Sequence, residues 1–381
     1  MLLLSSFIYT AGILACLLIL LILFRSRNKG RSQYILLAIF FFLFFVPLTA
    51  YAELHQLTFL QAIAFLFADS IGFALGPLLY LYIKSLYQEE DFSLRKFWVH
   101  LLPLIFYLLF ISFPRWMDIW MPDAFPQYVQ LMDKFEPLLQ VQAFYLMGYC
   151  IASLRLLSSY RKLLKQNFSE LQEKELSWVS YLLIGLILTL SINLVFALLS
   201  YFHGPYSFNP NFFTDTALIL LIFYLGYYGS TQAPVFFPAY VFEEAENEQQ
   251  EISGNKSHHL SNASKDEVEK LKSALEKGLK EDKLFLKEDL SLGELAEHIG
   301  TTDKKLSALL NQVLNLNFFE LINEHRVEEV KRKMQDPDFA HYTLLAIAFE
   351  SGFKSKTSFN RIFKQKTGLS PSAYKKEYSN Q

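Results

Sequence analysis

Read as a string of apolar and polar positions, the chain changes its rule near residue 242. Before that point apolar runs recur at Leu2–Phe24, Tyr34–Tyr51, Phe59–Ile83, Phe97–Phe113, Pro137–Leu157, Leu176–Phe202 and Phe212–Tyr228. About 20 apolar residues are needed to cross the hydrocarbon of a bilayer as a helix. The pattern therefore predicts about seven spans, the second, fourth and seventh of them short. After residue 242 the apolar positions return at helical spacing in short stretches, each with a capping residue ahead of it.

The first such helix opens at the capping box Ser264-Lys-Asp-Glu267, with Val268, Leu271, Leu275 and Leu279 on one stripe. That stripe predicts either a short coiled coil between two copies of the chain or docking onto the domain that follows. Next, Ser291-Leu-Gly-Glu294 caps a helix with Leu292, Leu295, Ala296 and Ile299 inward, ending at Gly300. Thr302 caps its successor, with Leu306, Leu309, Leu310 and Val313 apolar. The same helix–turn–helix pattern then recurs: Thr343 opens a helix with Leu344, Ile347 and Ala348 that ends at Gly352, and Ser355 caps one with Phe359, Ile362 and Phe363 inward. Ala296 and Gly300 lie 52 residues before Ala348 and Gly352, whereas Leu306, Leu310 and Leu316 lie 53 before Phe359, Phe363 and Leu369. One extra residue in the second turn accounts for the change, and two copies of one motif are firmer than a lone match. A long helix, capped by Asn317 and ended by Asp336-Pro337, joins the copies.

Charge confirms the division. Residues 1–242 hold 14 Lys+Arg and 13 Asp+Glu, and residues 243–381 hold 21 and 24, so 139 residues carry 45 of the 72 charges. The net charge is −5 over 243–282, −3 over 283–338 and +5 over 339–381, so the last segment is the one suited to a polyanion. Of the loops between runs, one alternate set holds 12 basic residues, in 25–31, 84–96 and 155–174, and the other set only Arg115 and Lys134. By the positive-inside rule this predicts a multi-pass protein of the inner (cytoplasmic) membrane, N-terminus outside and C-terminal domain in the cytoplasm. The first run has no basic residue before it and no cleavage site, unlike a signal peptide.

Within the third run Ala64, Ala68, Gly72 and Gly76 recur every four residues, a smooth face for close helix packing, and Gly76-Pro77 predicts a kink. Asp69 lies inside this run. A carboxylate there is costly unless paired, so it either meets a partner such as Asn193 or Gln142 or contacts a ligand or ion. Asp69 and Asn193 are the candidate polar site of the membrane half. The outer segment 114–136, with Trp116, Trp120 and Tyr128, has the composition of an interface-lying stretch. Cys16 and Cys150 lie in apolar runs and give no metal or disulfide spacing, and His258-His259 lacks further ligands. No phosphate-cradling Gly loop, metal-protease motif or nucleophile constellation is present, so neither an enzyme nor a cofactor is expected.

The run Ala346–Phe353, then Ser358-Phe-Asn-Arg-Ile-Phe-Lys-Gln-Lys-Thr-Gly-Leu-Ser-Pro371 and Tyr374-Lys-Lys, resembles the AraC/XylS family of bacterial transcription regulators. Ile322-Asn-Glu-His-Arg-Val327 resembles that family's joining helix, and the likeness covers about residues 284–378. Gly76-Pro-Leu-Leu-Tyr-Leu-Tyr82 is similar to multi-span membrane halves fused to such domains. The resemblance implies two reader helices in successive major grooves. It puts the base-reading positions of the second copy at Lys356, Thr357, Ser358 and Arg361, and those of the first at Lys304, Lys305 and Ala308 with Ser307 nearby. Arg361 suits a bidentate guanine contact and Ala308 a thymine methyl. Lys354, Lys364, Lys366, Lys375 and Lys376 suit phosphates.

The expected architecture is all-α: a membrane bundle over 1–232, an acidic linker and connecting helix over 233–283, and a double helix-turn-helix domain over 284–381. The expected partners are double-stranded DNA, the lipid bilayer, a second copy of the chain and a small-molecule or peptide signal. The competing expectation is a membrane receptor or transporter whose cytoplasmic domain binds a protein.

Overall fold

The computed structural model describes residues 2–26, 30–87, 98–121, 141–171, 176–204, 206, 211–231 and 265–378. The acidic tether with Ser264 and His258-His259, the basic positions Arg27, Lys29, Arg95, Lys96 and Lys174, and the outer segment beyond residue 121 with Tyr128 and Lys134 lie outside the described residues. Among the described residues the chain is all-α, apart from one antiparallel bridge between Phe168 and Ser291. It divides into two compact units, 1–158 with 176–237, and 159–175 with 238–381.

The first unit contains α1 (Leu2–Arg25), α2 (Arg31–Leu54), α3 (Thr58–Ala68), α4 (Ile71–Tyr87), α5 (Leu102–Tyr107), α6 (Phe113–Trp120), most of α7 (Val141–Asn167), α8 (Ser177–His203) and α9 (Asn211–Thr231). Among the described residues six helical stretches are long and apolar enough to cross a membrane, or seven if α3 and α4 form one bent span. A bend of 48° falls at Asp69–Ser70, ahead of the Gly76-Pro77 pair at which the sequence predicts a kink. Ser70 turns its hydroxyl back onto the carbonyls of Leu66 and Phe67, at 3.2 and 3.3 Å, which competes with the helix's own bonding at the break. Pro77 sits inside the continuous α4. The small-residue face serves α7: a Cβ on Gly72 would lie 2.9 Å from Gln142, and one on Gly76 2.9 Å from Tyr149. The groove is filled within the chain.

In the second unit α10 (Lys265–Lys280) lays its stripe on the following domain. Leu275 and Leu279 are buried in one cluster with Leu292, Leu295 and Ala296 of α11 (Leu292–His298), Leu306 of α12 (Asp303–Ala308), and Phe318, Leu321 and Ile322 of α13 (Phe318–Gln335). The stripe is thus used up inside the chain and supplies no coiled-coil seam. The second copy consists of α14 (Leu344–Glu350) and α15 (Lys356–Thr367), followed by α16 (Pro371–Tyr378). Its centre is a run of aromatic contacts, Phe353 to Phe359 at 5.3 Å, Phe359 to Phe363 at 5.6 Å and Phe363 to Tyr374 at 5.3 Å.

Among the described residues five caps are as the sequence predicts. Ser291 and Glu294 form a reciprocal box, and Thr302, Asn317, Thr343 and Ser355 each accept a bond from the third residue onward. Four residues, 299–302, separate the helices of the first copy and five, 351–355, those of the second. After α12 the chain passes into a wider turn, Leu309–Val313, with five-residue hydrogen-bond spacing. Val313, the last of the apolar positions of this helix, is 38% exposed there.

The two turn glycines are not equivalent. Gly300 has φ +73° with open space where a side chain would go; Gly352 has φ +89° and a Cβ there would collide with the Phe285 carbonyl. Gly300→Ala is expected to cost about 1 kcal/mol, the left-handed backbone penalty alone. Gly352→Ala should cost roughly 3 kcal/mol or more because backbone must also move. Denaturant unfolding of the two variants checks the order, and equal losses would contradict the packing described.

Candidate nucleic-acid interface and polar cavity

Ser355 starts α15 by accepting the backbone N–H of Ser358 at 3.1 Å. Phe359, Ile362 and Phe363 then anchor one side of the helix in the core. The opposite side is fixed by that choice: Lys356, Thr357, Asn360, Arg361, Lys364 and Gln365 are exposed. Ser358 is not among them. It is 1% exposed, one turn before Ile362 on the inward side, and its hydroxyl has no partner among the described residues. Its expected base-reading place is therefore corrected. Asn360, which the sequence reading passed over, stands one turn beyond Lys356 on the outward side. Its amide is of the type that pairs with both adenine edge groups. The signal was available, since Asn360 lies four residues from Lys356 and four from Lys364.

In the first copy Lys304 and Lys305 are exposed and Ser307 is partly so, its hydroxyl accepting from the Asn311 amide at 3.3 Å. Ala308 is 9% exposed and counts with the core beside Leu309, so its methyl does not share the outward face expected of it. The exposed polar positions after it in that turn are Asn311 and Gln312. This face carries no arginine.

Several of the lysines are already engaged. Lys354 meets Asp289 at 3.1 Å, Lys366 meets Glu324 at 3.0 Å and Lys305 meets Glu267 at 2.8 Å. Such exposed pairs are worth about 0–1 kcal/mol, so an arriving phosphate could exchange for the carboxylate.

Arg326 is the largest fully buried side chain of the unit. Its Nε donates to the Phe285 carbonyl at 2.8 Å, and its Nη2 to the carbonyls of Lys287 and Glu288 at 2.7 and 3.1 Å and to the Ser169 hydroxyl at 3.2 Å. Burial pushes its guanidinium down to about 10, and the nearby Glu170, Asp289 and Glu288 charges pull the other way.

In the first unit Asp69 accepts the Ser112 hydroxyl at 2.8 Å and faces Arg115 at 3.9 Å. Its partners are these, not the Asn193 or Gln142 that the sequence offered. Asp69 and Asn193 nevertheless line one cavity of about 720 Å³, together with Tyr9, Glu53, Gln142 and Asp215. The Tyr9 hydroxyl donates to Asp215 at 3.1 Å. The volume falls in the range of small-molecule sites, about 300–1,000 Å³.

Residues 295–377 match the family model described as a helix-turn-helix domain. An uncharacterized HTH-type transcriptional regulator of Staphylococcus aureus (strain COL) is 36% identical over 92 residues, 24% of this chain and 12% of that protein. The melibiose operon regulatory protein of Escherichia coli (strain K12) is 28% identical over 87 residues, 23% of this chain and 28% of that protein. This chain thus spans about an eighth of the length of the staphylococcal relatives it matches. No solved structure matches it. The C-terminal domain is a helix-turn-helix domain of the AraC type.

Because the Ser358 hydroxyl is buried without a partner, Ser358→Ala is expected to leave stability unchanged or raise it by up to about 1 kcal/mol. It should also leave any DNA affinity untouched. A thermal melt and a binding titration check this, and a clear loss of affinity would return Ser358 to the reading face.

Proposed function

We propose that the chain is a membrane-embedded, sequence-specific transcription regulator, whose bundle perceives a signal and whose C-terminal domain reads DNA. The observation that carries the membrane half is the outward surface of the bundle. Leu3 is 85% exposed, Phe24 73%, Phe106 60% and Leu188 58%. Helices apolar on every side, with large side chains turned outward, need lipid around them. The Lys/Arg asymmetry of the loops supports a cytoplasmic tail. The DNA half is supported by the helix-turn-helix match, the repeated capped pairs and the basic outward face of α15.

In this reading Lys356, Thr357, Asn360 and Arg361 read bases, and Lys354 and Lys364 hold phosphates. The first copy contributes Lys304, Lys305 and Ser307 and discriminates less. The cavity containing Asp69 and Asn193 is the seat of the signal, a small molecule or the end of a peptide.

Arg361→Ala is expected to weaken binding of the full chain to its selected DNA by about 1–3 kcal/mol and to relax preference at one base pair. Lys364→Ala should weaken all sequences alike and lessen the salt dependence by about one phosphate. Titrations at several salt concentrations separate the two, and an Arg361→Ala chain that binds as before would contradict the assignment. For topology, Ser207→Cys should react with a membrane-impermeant maleimide on intact cells and Ser264→Cys only after lysis. The reverse pattern would place the tail outside.

A further inference from the structure

The stretch 159–175 joins two apolar helices of the first unit, yet it belongs to the second unit. α7 runs unbroken across the division, contributing Gln142, Ala143 and Leu146 to the cavity at its start and reaching Asn167 at its end. Directly after it, Ser169 is completely buried and Leu171 likewise. The Ser169 N–H and hydroxyl both donate to the Leu290 carbonyl, at 3.3 and 2.7 Å. Its own carbonyl accepts from Asn323 at 2.9 Å and from Arg326 at 3.4 Å. Phe168 forms the bridge to Ser291, the cap of α11. Lys162, Lys165 and Gln166 line a cleft with Asn311 and Asn315, which follow the first reader helix, and with Glu320 in the first turn of α13.

What Ser169 grips is itself the support of the second reader. The Phe285 carbonyl that binds Arg326 is the atom against which the Gly352 turn is packed. Asp289, beside Leu290, holds Lys354 two residues before α15 begins to form. A contiguous path of packed and hydrogen-bonded groups therefore leads from Ser169 through Arg326 and the 285–290 turn to the base of α15.

We propose that residues 159–171 are the coupling strut between the bundle and the DNA-binding domain, with Ser169 and Arg326 as positioning residues. Docked, the strut holds the 285–290 turn and so the second copy in its reading arrangement; a signal that shifts α7 withdraws Ser169 and loosens it. This rests on the reading of the chain as a membrane-embedded DNA-binding protein. The energetic requirement is ordinary, because a signal needs only a different affinity for the docked and undocked states.

The test uses the full chain in membranes, with a specific protease site inserted between residues 245 and 255. After cleavage the tail is expected to sediment with the membranes, held by the strut. With Ser169→Arg it should leave about ten- to a hundredfold faster, since a buried polar contact set is lost. The released tail should still resist further digestion across 265–378. If that tail is degraded instead, Ser169→Ala, which keeps the backbone contacts, should give a smaller but measurable release of an intact tail. A native tail that appears at once in the supernatant overturns the strut. So does a Ser169→Arg chain, uncut, that binds the selected DNA as tightly as native, where about tenfold weaker binding is expected. A native chain that sediments its cut tail but binds no DNA defeats the functional reading and not the strut.

Discussion

A guanidinium buried to zero exposure organises the second of the two units of this protein. Arg326 has no carboxylate in direct contact among its described hydrogen bonds; backbone carbonyls and one hydroxyl take its protons. A charge removed from water costs several kcal/mol unless such partners are supplied. The cost falls on any arrangement in which the 285–288 carbonyls or Ser169 move away, so the buried cation specifies where they sit. The first copy, the connecting turn and the segment that carries Ser169 are ordered around one side chain of α13.

The rest of the domain follows from simpler rules. Hydroxyl and amide caps fix where each short helix begins, glycines with positive φ fix where the chain turns, and buried leucines and aromatics choose the inward side. Once Phe359, Ile362 and Phe363 face the core, the outward residues of α15 are determined. Asn315 and Gly368, 53 residues apart, both adopt positive φ after their reader helices, so the repeat extends into backbone conformation as well.

Much of this was legible in the sequence, because caps, apolar periodicity and the 52/53 spacing are local properties. The tandem copies, the joining helix and the apolar runs needed no tertiary information. What was not legible had tertiary causes. Ser358 and Ala308 are small residues that fit either face, and only the packing of their helices turns them inward. At the Asp69–Ser70 bend a serine bonds backward to the preceding turn, whereas the sequence drew attention to the proline seven residues on. Asp69 found Arg115, a residue whose charge otherwise counts as a loop signal. The docking of Ser169 onto residues 120 and more further along the chain has no periodic trace at all.

The proposed function joins lipid-facing helices and DNA-reading helices in one working molecule. Its most direct test is to place the intact chain in lipid nanodiscs and select bound fragments from genomic DNA. The account predicts enrichment of one sequence family, lost steeply as salt is raised. Nanodiscs that hold the folded chain yet enrich no sequence at low salt would contradict it.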